Sequence, residues 1–256
     1  MIELRPLTES REFQEAVQLQ KRIWGFDDIE LLPARLFVVA IKVGGQAFGA
    51  YDGGRMIGFL ISIPGLKPGG GSYLHSHMLG VLPDYRNHGV GRMLKLKQRE
   101  DALARGIQLI EWTFDPLELK NAFFNMERLG AIVRRYVDNQ YGTTTSPLHG
   151  GLPTDRCVAE WWLASPHAEA VLRGEHPVRP IAERGIVERG IVERIDVPAD
   201  VDIIRREEPR RAREIQKALG ERLKSCFGRG LAVIGFERSA HAGVYLLGRW
   251  ECGSNA

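Results

Sequence analysis

Cysteine is scarce in this chain, with three among 256 residues. Cys157, Cys226 and Cys252 form no CxxC pair and are odd in number. That argues against a disulfide framework or a zinc site and makes a reduced, cytoplasmic setting the expectation, with no metal. Long apolar runs are missing too: nothing approaches the roughly 20 residues a membrane-spanning helix needs, so no membrane partner is expected. The start, MIELRPLTES, has charges at Glu3 and Arg5 and no apolar stretch, so it does not read as a secretory signal. A strong charge of either sign is also lacking. Lys and Arg number 35 against 32 Asp and Glu, a formal net charge of +3. Basic residues are interspersed with acidic ones, so no nucleic-acid partner is expected, although the mild excess suits a polyanionic ligand.

What is present is enough for a sizeable core. Apolar residues make up 44% of the chain, and its length suits one large domain or two small ones. Ile2–Pro6 reads as a first strand. Thr8 or Ser10 is a candidate helix cap, and Phe13, Ala16, Val17, Gln20 and Trp24 recur at helical spacing up to Gly25. A second short helix is expected near Pro33–Ala40. Gln46–Tyr51 and Arg55–Ile63 flank Asp52-Gly53-Gly54 as a hairpin, and the loop PGLKPGGGS leads to a strand over Tyr73–Val81. Alternation puts His75, His77 and Leu79 on one face of that strand. A basic helix is expected over Gly89–Arg105, then a strand over Ile107–Thr113 and a helix over Glu118–Leu129 closed by Gly130. Ala131–Tyr141 and Cys157–Leu163 read as two more strands, separated by the loop GTTTSPLHGGLPTDR.

Beyond Ser165 the character changes. Pro166–Ile181 reads as a Pro-punctuated linker, and a tandem repeat, ERGIV-ERGIV-ERI, runs from Glu183 to Ile195. Two copies are too few for a solenoid. Val201–Ile204 reads as extended, Glu207–Phe227 as a helix, and Leu231–Phe236 with Val244–Leu247 as a terminal hairpin. RREEPRRAR, from Arg205 to Arg213, reads as a solvated helix start.

Arg86-Asn87-His88-Gly89-Val90-Gly91 stands between a strand and a basic helix, behind LGVLPDY. Glycines let backbone approach an anion, and unpaired amides at a helix start favour negative charge. Together they make a pyrophosphate cradle, to which Arg86 and Arg92 add charged donors. A plain strand–helix turn with a solvated Arg is the competing reading. A dinucleotide-binding G-x-G-x-x-G after a first strand is absent.

This segment resembles the Arg/Gln-x-x-Gly-x-Gly/Ala signature of the GNAT (Gcn5-related N-acetyltransferase) superfamily, and the order of elements over residues 2–163 is similar too. The resemblance implies an α/β (α+β) GNAT fold: a central mixed, mostly antiparallel sheet flanked by helices. It implies a catalytic acyl-CoA-binding domain at residues 1–165, with a linker and a small C-terminal α/β appendage at 166–256. YLHSHMLGVLPDYRNHGVG, WTFDPLELKNAFFNMERLGA and GGLPTDR resemble a long group of that superfamily which includes amino-acid N-succinyltransferases. The activity implied is transfer of an acetyl or succinyl group from acetyl-CoA or succinyl-CoA to a primary amine. The acceptor expected is a small molecule such as an amino acid, the attack is direct, and a homodimer is compatible with the family. A protein-lysine acetyltransferase and a non-catalytic acyl-CoA-binding module remain alternatives.

The family arrangement assigns the cofactor to Leu79, Gly80 and Val81, to Arg86 through Arg92 (with Asn87, His88, Gly89, Val90 and Gly91), and to Asn121 and Asn125. The two asparagines stand four apart, on one face of a helix, for the cofactor's pantetheine or the substrate, against a helix cap and an exposed amide. Met126 stands near where the family places a Tyr that protonates the departing thiolate. Direct transfer needs a base for the amine, often through water. His77 is the first candidate, with His75 beside it for substrate contact, since imidazole titrates near neutrality. Glu111 is a second, against a structural salt bridge. Tyr141, with Tyr136, is a candidate thiolate donor, against a core or rim aromatic. Arg156 is a candidate clamp for a carboxylate-bearing substrate, against an ion pair at the start of its strand.

Overall fold

The computed structural model describes residues 1–142, 151–175 and 190–250. The chain forms two compact units, Met1–Trp112 and Thr113–Ala256.

In the first unit, β1 (Glu3–Pro6) leads into α1 (Ser10–Trp24). Neither Thr8 nor Ser10 caps α1 through its hydroxyl. Glu9 is the cap residue, and the Glu12 carboxylate reaches back to accept from the backbone N–H groups of Thr8 and Glu9 at 2.7 and 3.0 Å. Arg5 donates to the same carboxylate. Gly25 closes the helix at φ 68°, as the sequence leads one to expect. Then come α2 (Ala34–Lys42), β2 (Gln46–Asp52), β3 (Arg55–Leu66), β4 (Ser72–Val81), α3 (Val90–Ala104) and β5 (Leu109–Phe114). The strands lie in the order β1-β2-β3-β4-β5, antiparallel except for the parallel pair β4/β5. Phe13, Phe37 and Phe59 tie α1, α2 and β3 into one core, with ring centroids 5.9 and 6.0 Å apart.

In the second unit, α4 (Leu119–Phe123) runs into a π turn, Phe124–Arg128. β6 (Ile132–Val137), β7 (Arg156–Trp162), α5 (Pro166–Leu172), β8 (Ile191–Pro198), α6 (Val201–Glu207), α7 (Pro209–Gly228), β9 (Leu231–Arg238) and β10 (Ala242–Arg249) follow. Its strand order is β7-β6-β9-β10-β8. The mixed, mostly antiparallel sheet flanked by helices is therefore present.

Three readings of the C-terminal part change. The first seven residues of the supposed linker are α5, capped by Ser165 Oγ accepting from Ala168 N; residues 176–181 lie outside the described residues. Val201–Ile204 is helical, not extended, because Val201, Ile204 and Arg205 are buried at i, i+3 and i+4. Arg205 is not solvated: it is 5% exposed and ion-paired to Asp115 and Glu118. The second ERGIV copy supplies the start of β8, while residues 183–189 lie outside the described residues, as do residues 143–150 of the long loop and Cys252.

Candidate functional site

β4 is the strand on which most candidate residues stand, and its geometry departs from simple alternation. Ile61 pairs with Met78 and Ser62 with Ser76, so His77 is an extra residue in β4. Such a bulge resets which face each later side chain takes. Ser76 faces α3, where its Oγ accepts from Lys95 Nζ at 2.9 Å. After the bulge Leu79 and Val81 face α3 as well, 3.5 and 4.0 Å from where a Cβ on Gly91 would stand. Leu79 therefore does not share a face with His75 and His77, contrary to the alternation reading. The two histidine rings stand 6.0 Å apart. Gly80 faces α1, where a Cβ would meet Trp24 at 2.7 Å and Ile23 at 2.8 Å. The parallel ladder from β4 to β5 holds Leu74↔Ile110 and His75↔Glu111, with no further pair toward Val81 among the described residues.

Beyond β4 the chain turns at Pro83–Tyr85 and enters α3 through two left-handed residues, Asn87 at φ 64° and Gly89 at φ 80°. The first helical bond of α3 is Met93 N to Gly89 O, so the amides ahead of it have no acceptor within the helix. A Cβ on Gly89 would meet nothing within 4 Å, and one on Gly91 only the Leu79 and Val81 side chains. Asn87, His88 and Gly89 are exposed, Arg92 is half-buried, and Val90 is anchored in the core. Arg86, an expected phosphate donor, also has a structural role. Its Nε donates to Val81 O and its Nη2 to Ile23 O, both at 3.3 Å, which braces the end of β4 against the end of α1.

Glu111 is buried and ion-paired with Lys67, from the loop between β3 and β4. Lys67 also stands 4.8 Å over the Tyr73 ring. Burial first, then His77, pushes the His75 imidazole below its ordinary pKa, while Glu111 pulls the other way. The His77 imidazole is also lowered, by partial desolvation, although the residue keeps an exposed edge. Both histidines are thereby biased toward the neutral form that accepts a proton.

In the second unit Asn121 is exposed and Asn125 buried. Asn121 belongs to α4 and Asn125 to the π turn that begins at Phe124. Tyr141 shares a hydrogen bond of 3.0 Å with Thr113, and the Arg156 guanidinium lies 5.4 Å over the Tyr141 ring. Arg156 Nη1 donates to Asp155 O. Tyr136 donates to Asp155 at 2.7 Å, and burial followed by that bond pushes its phenol well above the ordinary range. That makes it a poor proton source.

Sequence reasoning missed two residues. Lys67 sits in a Gly/Pro-rich loop and carries no pattern that points at Glu111. Lys95 reads as one more cation on a basic helix. The available signal was its place among the buried positions Val90, Leu94, Gln98 and Ala102. Burial pushes its amine well below the ordinary lysine pKa. Among the described residues no group of three or more His, Cys, Asp or Glu is arranged to hold a metal, and no helix is long and apolar enough to cross a membrane.

Residues 11–130 match the Acetyltransferase (GNAT) family. Over those residues the chain matches a GNAT acetyltransferase domain, from a family of enzymes that use an amine acceptor. Among solved structures it is similar to the ribosomal-protein-S18-alanine N-acetyltransferase of Escherichia coli, with 19% identity, a TM-score of 0.52, and 64% of this chain and 96% of that one covered. It is also similar to Arabidopsis thaliana NAA60 in complex with a bisubstrate analogue, with 16% identity, a TM-score of 0.51, and 63% and 98% covered. At these identities the likeness is one of fold. No curated protein matches the chain.

Proposed function

We propose that this protein transfers an acetyl or succinyl group from acyl-coenzyme A to the primary amine of a small molecule such as an amino acid, by direct attack. The observation that carries the reading is the start of α3. Its first amides follow Gly89, where a Cβ would meet nothing within 4 Å, and include that of Gly91, where one would meet only the Leu79 and Val81 side chains. In this reading Asn87 to Gly91 hold the phosphates, and the backbone of Leu79 to Val81 lies beside the thioester. Coenzyme A, when bound, supplies the activated acyl group. Asn121 and Asn125 are assigned to its pantetheine arm. Residues 1–165 form the catalytic domain and 166–256 its C-terminal extension.

The protein's own part is to bind, to orient and to take one proton. His77, with its lowered pKa and exposed edge, is assigned as the base that accepts the amine proton, directly or through water. His77→Gln lowers kcat/KM by about 100-fold and leaves coenzyme A affinity nearly unchanged. The acidic limb of the pH–rate profile, expected below pH 6.5 because the imidazole is lowered, disappears. Wild-type rates in this variant move the role to His75 or to Glu111, which Lys67 already engages. Tyr141 is assigned as the thiolate donor.

Arg156 is assigned to the carboxylate of the donor tail or the acceptor, because a planar guanidinium matches that group with paired hydrogen bonds and Lys does not. Arg156→Lys raises KM for a carboxylate-bearing acceptor about 10-fold, with coenzyme A binding retained. Matched acceptors with and without the carboxylate are the control; an equal response of both removes the assignment. The reading as a whole is tested by a thiol-release screen of acetyl-CoA and succinyl-CoA against amino acids, including D-forms, and polyamines. Retention of coenzyme A without transfer to any amine would overturn it in favour of a binding module.

A further inference from the structure

Lys95 lies in the second turn of α3, 3% exposed, and no ion pair among the described residues includes it. Its Nζ donates to Ser76 Oγ at 2.9 Å and to Gln98 Oε1 at 3.1 Å, and stands 3.7 Å from the centre of the Trp112 ring. Two hydrogen bonds and an aromatic face thus surround the one amine. The contacts continue through the core. Gln98 O accepts from Gln46 Nε2 at 3.1 Å, Gln46 Oε1 accepts from Ser62 Oγ at 2.9 Å, and Ser62 is the register partner of Ser76. Side-chain hydrogen bonds therefore link α3, β2 and β3 on one side and α3 and β4 on the other, the β3/β4 ladder brings the two ends together at Ser62 and Ser76, and Trp112 of β5 is a branch.

Replacing a buried hydrogen-bonded group together with its partners by well-packed apolar ones of the same shape can be nearly neutral. Stability therefore does not explain the lysine, and its position offers another reason. Ser76 is the residue directly before the bulge at His77, and Trp112 is the residue directly after the last β4/β5 pair, His75↔Glu111. Lys95 holds both.

We propose that Lys95 is a positioning residue: it pins Ser76 and Trp112 from beneath the sheet, and so fixes the bulge that turns His77 outward and the point at which β4 and β5 stop pairing. Its catalytic consequence rests on the acyltransferase reading above, which places the reacting groups along that stretch of β4. Its structural consequence does not.

The test compares wild type with Lys95→Met, which keeps the volume, with Ser76→Ala, and with the double variant. Three measurements are made on the full chain: amide hydrogen exchange, coenzyme A affinity by calorimetry, and steady-state kinetics. Lys95→Met is expected to speed exchange over residues 76–81 about 10-fold, with the β2–β3 hairpin unchanged. Coenzyme A affinity is retained, because the amides at the start of α3 are untouched. kcat falls about 10- to 100-fold at nearly constant KM, as misplacement of reacting groups predicts. Ser76→Ala shifts both readouts the same way, and the double variant is little worse than Lys95→Met because the two act as one unit. Unchanged exchange in β4 overturns the proposal, as does a uniform rise throughout the first unit, or faster exchange in β4 with wild-type kcat. Wild-type protein that neither binds coenzyme A nor transfers acyl groups overturns the acyltransferase reading alone, and the exchange data still decide the pin.

Discussion

Gly91→Asp is expected to lose coenzyme A binding by more than about 100-fold while the fold keeps its stability. Gly91 has no left-handed backbone to protect, and a Cβ there makes only ordinary contacts with Leu79 and Val81. A carboxylate in the first turn of α3 even suits the helix dipole, by about 0.5 kcal/mol. In the acyltransferase reading the same carboxylate stands beside the phosphates. At about 5 Å and an effective dielectric near 20, each phosphate charge is repelled by about 3 kcal/mol. Calorimetric titration with coenzyme A, beside a thermal melt, separates the two effects. Gly89→Asp differs, because Gly89 sits at φ 80° and any side chain adds strain of about 1 kcal/mol; it is expected to lose both affinity and some stability. Arg86→Ala weakens binding less than either, since Arg86 braces β4 against α1. Unchanged isotherms for a folded Gly91→Asp protein remove the cradle.

Arg205→Met is expected to destabilise the protein by about 3 kcal/mol at pH 7, near the lower end of the cost of orphaning a buried ion pair. Arg205 donates to Asp115 at 3.0 Å and to Glu118 at 3.1 Å. The lower end applies because Glu118 retains 36% side-chain exposure. Burial, ahead of the opposing pull of Arg205, already raises the Glu118 pKa. Without the guanidinium it rises further, so the folded variant binds protons more readily than the unfolded chain. Its deficit is therefore greatest above the raised Glu118 pKa and shrinks as pH falls through it toward 4.5. Urea denaturation of both proteins at pH 7 and pH 5 checks the size and the sign. A deficit independent of pH means that the loss is one of packing.

The second result bears on what the C-terminal residues do. Tyr245 Oη donates to Pro116 O at 2.6 Å, Phe236 N donates to Glu127 Oε1 at 2.9 Å, and Val233 pairs with Val133 of β6. The segment from Asp115 through the π turn, on which Asn121 and Asn125 stand, is thus held by residues more than 80 positions later. None of those contacts is visible as a local pattern. The terminal hairpin was legible because apolar alternation and its turn are local. Its attachment was not.

The same divide runs through the candidate site. Gly89 and Gly91 behind PDYR, followed by a basic helix, determine from the sequence alone a helix start with a left-handed glycine and unpaired amides, because short-range backbone sterics create it. Residue order also determined β4, α3 and β5 closely. Only the tertiary structure decided that His77 is the bulged residue, that Leu79 turns to α3, that Glu111 is engaged by Lys67, and that Lys95 points into the core. A bulge is set by the mismatch between two strands, and the burial of a charge by what packs against it. Both depend on partners distant in the chain, to which periodicity along one segment is blind.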